Sequence, residues 1–186
     1  HETDLHKECI ALMKKAFGVE PSKAYKTDDN AFRITYHSAH LGRFFERCCS
    51  TGSHSKHIPE FLWNLPKDHF LSFLEGYSQG DGYHTKTGKL VASSVSKQLI
   101  NELAWLCSLH GIKVGIKHEI TSGGRVIRNK PLPPCESWSL IIGRTTNPFL
   151  GKDVNHPYQF KRATIKQIVA RPYKGYVYDL CGVENE

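Results

Sequence analysis

Residues 68–82 constrain this chain more than any other stretch. Phe70, Phe73, Leu74 and Tyr77 recur at i, i+3, i+4 and i+7, the period of a helix with one apolar face. Beside them Ser72, Gly76 and Gly80 form a row of small residues at i, i+4 and i+8. Glycine inside a helix costs roughly 1 kcal/mol relative to alanine. Gly76 therefore predicts close packing against another helix or chain, and solvent at Gly76 would contradict it. Asp81 falls at the C-terminal end of this helix, where the partial negative charge of the dipole repels a carboxylate. A bound cation would relieve that conflict; on its own, Asp81-Gly82 reads equally well as a turn after a core helix.

The rest of the chain alternates helical and extended patterns, which predicts a mixed α/β, α+β fold. Leu5, Cys9, Leu12 and Ala16 share a helical face over residues 3–17, and Gly18 stops it. Two short β-like runs follow, Ser22–Lys26 and Ala31–Tyr36, around Asp28-Asp29-Asn30, and then a helix over Ser38–Cys48. After residues 68–80 comes a strand pair, Tyr83–Ser93, turning at Gly88. Ser96 is a suitable N-cap for a helix carrying Leu99, Leu103 and Leu106 and ending at Gly111. Strands Lys113–Glu119 and Trp138–Ile142 flank a turn at Ser122-Gly123-Gly124. Ala31–Ser38 lies over Ser137–Arg144 with a shift of 106 residues, so a helix–hairpin–helix unit is expected twice, with a longer hairpin loop in the second copy.

Charge adds a partner. The chain has 25 Lys and Arg against 18 Asp and Glu, a net +7. Eight of the basic residues and only two of the acidic ones, Glu102 and Glu119, lie between Tyr83 and Lys130. Such clustering predicts a nucleic-acid surface there rather than an ordinary solvated face. The six cysteines include no C-x-x-C pair, which gives zinc little support, and Cys9 and Cys107 fall on apolar helix faces as reduced thiols do. Glu2, Asp4 and Glu8 leave no secretory signal at the start, and no apolar run is long enough to span a membrane. An intracellular, reduced protein is expected.

The segment Phe73-Leu74-Glu75-Gly76-Tyr77-Ser78-Gln79-Gly80-Asp81-Gly82 resembles the signature helix of the LAGLIDADG homing endonucleases, in the form found inside inteins. Leu74, Gly76, Asp81 and Gly82 match the motif; Ser78 and Gln79 depart from it, Gln79 standing where the motif has its first Asp. Lys56-His57-Ile58-Pro59-Glu60 resembles the stretch that precedes the second motif in intein endonucleases, and Leu109-His110-Gly111-Ile112 the close of the helix that follows it. Gly175-Tyr176-Val177-Tyr178-Asp179-Leu180 resembles the strand that opens an intein's C-terminal splicing segment, most nearly that of DNA-polymerase inteins.

The resemblance implies an αββαββα-type repeat with a saddle-shaped antiparallel sheet. Residues 1–65 would be the remainder of a first endonuclease repeat, 66–156 the second repeat, and 157–186 the start of the splicing segment. A first signature helix would lie upstream, making this chain a fragment whose partners include the missing N-terminal part of the same intein and a host protein precursor. The implied activity is Mg²⁺-dependent, site-specific hydrolysis of double-stranded DNA. Asp81, with the Gly80 carbonyl, would hold the metal, and Lys56 would balance phosphate charge; the 106-residue shift carries Lys56 to Arg162, beside Lys161, the weaker candidate for a matching lysine. Tyr83, Thr85, Thr87, Lys89, Lys113, Lys117, Arg125 and Arg128 are the expected DNA contacts. Two rival readings remain: a non-cutting DNA-binding module, and a structural remnant that supports splicing.

Overall fold

The computed structural model describes residues 2–27, 32–124, 126–127, 130–131, 133–150, 169–170, 172 and 174–175. Lys161, Arg125, Arg128, the turn at 28–30 and the segment 176–186 lie outside the described residues. The chain divides into two units, residues 1–155 and 156–186. The first is mixed α/β with antiparallel sheets.

It opens with α1 (Glu2–Phe17), the hairpin β1 (Lys23–Lys26) and β2 (Phe32–Thr35), and α2 (Ala39–Cys49). Gly18 stops α1 at a φ of +66°, a backbone shape glycine adopts without strain. Ser38 caps α2, its Oγ accepting the Leu41 N–H at 3.3 Å. The face expected to bury α1 is not the one that packs. Cys9, Leu12 and Ala16 are exposed, and the helix instead lays His6 on Phe32, with ring centroids 4.1 Å apart. A hairpin of two four-residue strands is too narrow to cover a helix of 16 residues.

Every buried residue among those described lies at or after Ile58. Following a 3₁₀ turn (Glu60–Asn64) come α3 (Lys67–Asp81), β3 (Gly82–His84), β4 (Leu90–Ser94) and α4 (Lys97–Leu109). Then β5 (Val114–Thr121) and β8 (Cys135–Ile142) form a long hairpin whose loop carries the short pair β6 (Val126–Ile127) and β7 (Lys130–Pro131). The order helix, strand, strand thus recurs, α1–β1–β2 and α4–β5–β8, with the longer loop in the second copy. The sheet runs β3-β4-β8-β5, antiparallel throughout.

Alternation sorts the sheet into two faces. Leu90, Ala92, Leu140 and Ile142 point to one side and are buried against Ile100, Leu103 and Leu106 of α4 and Phe70 and Leu74 of α3. Each such aliphatic side chain contributes about 1.5–3 kcal/mol when fully buried. Phe73 and Tyr77 complete the predicted stripe as partly buried neighbours of this core. The small-residue row does not pack as expected. Ser72, Gly76 and Gly80 are exposed, and a Cβ placed on Gly76 or Gly80 would meet nothing within 4 Å. The stripe turns inward toward the sheet, and that rotation leaves the row on the outside.

Candidate active site and nucleic-acid interface

Asp81 is the last residue of α3, and no turn follows it. The helix passes directly into β3 through Gly82, whose N–H donates to the Ser78 carbonyl. A Cβ at Gly82 would lie 2.8 Å from that carbonyl oxygen and 2.9 Å from the Ser78 Cα. Glycine is thus required by contact, in an extended conformation any residue adopts (φ −112°, ψ 171°). The tight exit fixes where the Asp81 carboxylate emerges, beside the last carbonyls of the helix.

The Lys56 ammonium reaches the same place. Its Nζ lies 3.9 Å from Asp81 Oδ2, and both side chains are about half exposed, at 47% and 57%. The cation expected at this negatively charged helix end is therefore supplied, at least in part, by a side chain. The residues around Lys56 explain how. Ile58 is 3% exposed within the core, Pro59 begins the 3₁₀ turn, and Leu62 is buried beneath it. Tyr77, one helical turn before Asp81, has a covered hydroxyl; burial and then the Asp81 charge push its pKa up to about 12, so the phenol keeps its proton.

Two oxygen donors at this point, the Asp81 carboxylate and the Gly80 carbonyl, have the hard chemistry that Mg²⁺ accepts. Among the described residues no group of three His, Cys, Asp or Glu lies together as a metal cage. Mg²⁺ usually combines one or two carboxylates with waters and substrate phosphates, so these residues fit an ion shared with a phosphate group rather than one enclosed by protein.

Two of the eight expected DNA contacts lie on strands of the second sheet face. Tyr83 and Lys117 lie on it, both exposed, with Ser93, Ser139 and Ile141 between them. One row across the sheet is Ser93, Ser139, Lys117, and the two serine hydroxyls are 2.7 Å apart. Lys113 precedes β5, and Lys89 precedes β4; both are exposed. Thr85 and Thr87 also have a structural part. Their hydroxyls pair at 2.9 Å, and Thr85 Oγ1 also accepts the Lys89 N–H at 3.0 Å, so they shape the β3–β4 turn. Lys117 is partly neutralised by Glu119 at 2.7 Å.

Sequence reasoning missed Asn147. It is 2% exposed and ties that turn from behind, Nδ2 donating to the Gly88 carbonyl at 3.1 Å while Oδ1 accepts the Phe149 N–H. Only its place before a proline marks it in the sequence. Ser96 appeared only as a helix cap and Glu102 only as a charge, although both contact the backbone beside Lys56.

No protein-family model matches the chain. It does align with a protein named DNA polymerase from Thermococcus kodakarensis, 38% identical over 179 aligned positions that take in 76% of this chain. This chain is similar to part of a DNA polymerase. Proteins of the same name from Thermococcus sp. strain GE8 and Thermococcus hydrothermalis align over the same share of the chain, at 36% and 26% identity. The matched part is 10% or 11% of each relative's length, so the chain spans only a small part of the proteins it resembles. No helix among the described residues is long and apolar enough to cross a membrane.

Proposed function

We propose that this chain is part of a site-specific endonuclease embedded in an intein of a DNA polymerase, and that it hydrolyses double-stranded DNA with Mg²⁺. One observation carries the reading: Lys56 and Asp81, singled out in two separate motifs, meet at 3.9 Å at the end of α3. The similarity to Thermococcus proteins named DNA polymerase supports a polymerase as host precursor, and so an intracellular setting.

In this reading Mg²⁺, when bound, polarises the scissile phosphate and lowers the pKa of an attacking water. The chain's own residues do the rest. Asp81 and the Gly80 carbonyl offer the metal its protein oxygens. Lys56 directs a charged N–H donor at the phosphate, balancing the charge that builds up as the bond to the leaving oxygen breaks. Lys161, the weaker candidate, would be the matching lysine. Tyr83, Lys89, Lys113 and Lys117, with Arg125 and Arg128 on the β5–β8 loop, hold the duplex against the outer sheet face, largely through phosphates.

The exposed Gly76 and Gly80 favour a second reading, a catalytically degenerate DNA-binding or structural remnant, as does Gln79 in place of an acid. One experiment separates the two. Supercoiled plasmids carrying a library of inserts are incubated in Mg²⁺ or in chelator with the complete intein endonuclease of which this chain is part in this reading; this chain by itself is expected to bind duplex DNA but not to cut both strands. Linear product only with Mg²⁺ is expected; selective retention of certain inserts without any strand cleavage would establish the remnant instead.

A further inference from the structure

Lys56 sits on a stretch without regular structure, residues 51–59, and its side chain is 47% exposed. A long side chain on a loose loop would sample many positions. Yet the backbone on both sides of His57 is held. The Ser96 hydroxyl donates to the Lys56 carbonyl at 2.6 Å while its oxygen accepts the Leu99 N–H at 3.2 Å, capping α4. Glu102, one and a half turns along the same helix, accepts the Ile58 N–H on Oε2 at 2.7 Å, and its Oε1 accepts Gln98 Nε2 at 2.8 Å. Ser96 is fully buried, and α4 is rooted in the core by Ile100 and Leu103, each 0% exposed.

We infer that Ser96 and Glu102 are positioning residues that use α4 as a rigid mount to hold Lys56 opposite Asp81. The inference rests on the nuclease reading for its purpose but not for its geometry. Each contact spans at least 40 residues of chain, with separations of 40 and 44. Neither is needed to satisfy a sheet or a helix interior. Together they fix one acceptor and one donor of the backbone, leaving only the lysine's own torsions free. A charged donor in a phosphoryl-transfer site works only when its position is held, since misplacement by about 1 Å costs on the order of a hundredfold in rate.

The test reads Lys56 itself. Acetic anhydride labelling of the full chain, followed by mass spectrometry, gives the reactivity of Lys56 relative to the exposed Lys86. In Ser96→Gly, which keeps an acceptable N-cap but loses the donor, and in Glu102→Ala, Lys56 labelling should rise about two- to fivefold, as for any freed surface ion pair. Asp81→Asn should give the same rise. Ser96→Thr, which retains the hydroxyl, and Glu102→Gln, which retains one acceptor oxygen for the Ile58 N–H, should restore wild-type labelling. Should either of the first two variants fail to fold, the other carries the test.

Unchanged Lys56 labelling in the variants, or a rise that the conservative substitutions do not reverse, overturns the inference. Cleavage by the complete protein gives the independent arm. Ser96→Gly should slow Mg²⁺-dependent cutting about tenfold or more without weakening DNA binding, and should add nothing in a Lys56→Ala background. Additive losses would mean a merely structural role and overturn it. A wild-type protein that never cuts, yet shows the labelling pattern, would retire the nuclease reading and leave the mounting of Lys56 intact.

Discussion

Lys56 Nζ stands 3.9 Å from Asp81 Oδ2, across 25 positions of sequence and at the negative end of a helix. An ion pair as exposed as this is worth no more than about 1 kcal/mol, so stability does not account for it. In the nuclease reading its effect is on chemistry: a carboxylate that would bind metal and a cationic donor emerge side by side, one fixed by a helix that ends without a turn, the other by a loop bonded to α4.

Asp81→Asn should abolish Mg²⁺-dependent DNA cleavage by the complete protein, a loss of at least about a hundredfold, while leaving DNA affinity nearly unchanged. In the nuclease reading the carboxylate would hold metal, whereas binding would come mainly from phosphate contacts. Lys56→Ala should slow cleavage less, with a similarly small effect on affinity. Single-turnover cleavage beside a binding titration in chelator checks both, and equal cleavage by Asp81→Asn and wild type would remove the metal role.

Gly82→Ala and Gly76→Ala should move stability in opposite directions. A methyl on Gly82 meets the Ser78 backbone at 2.8 Å and should cost about 1–3 kcal/mol. On Gly76 it meets nothing within 4 Å of this chain and should add up to about 1 kcal/mol through helix propensity. Urea denaturation of the two variants gives both numbers. A destabilised Gly76→Ala would show that a second helix does pack on that face.

Lys89→Ala should lower the slope of log affinity against log salt by about one, as expected for losing one phosphate contact. Lys117→Ala should change it less, because Glu119 at 2.7 Å already draws on that ammonium. Binding to a plain duplex at several salt concentrations is sufficient. Identical slopes for both variants and wild type would remove the outer sheet face from the interface.

Acid should weaken the fold through His110. Burial, reinforced by the Lys67 charge, holds its pKa below the ordinary 6.5, and its ring stacks on Phe70 with centroids 4.7 Å apart. The unfolded chain then takes up the proton first, so this contribution to stability is present above pH 6.5 and is lost as pH falls through the lower folded value. His110→Phe keeps the stack without the titration. Thermal melts at pH 7.5 and pH 5.5 should show a smaller acid loss in the variant, and an equal loss would exclude His110 as a source.

The sequence by itself determined what depends on near neighbours. The apolar stripe of α3, the Ser96 cap and the glycine stops at Gly18 and Gly111 were all legible, because helix periodicity and end chemistry act within one or two turns. So were Asp81 and Lys56 as separate candidates. Tertiary structure alone decided that they meet, since their approach follows from Ile58 entering the core and from contacts 40 and 44 residues long. It also decided which side of α1 packs, that Gly76 faces outward, and that Thr85 shapes a turn. Those outcomes depend on how much surface a distant sheet offers each helix, and local pattern carries no measure of that.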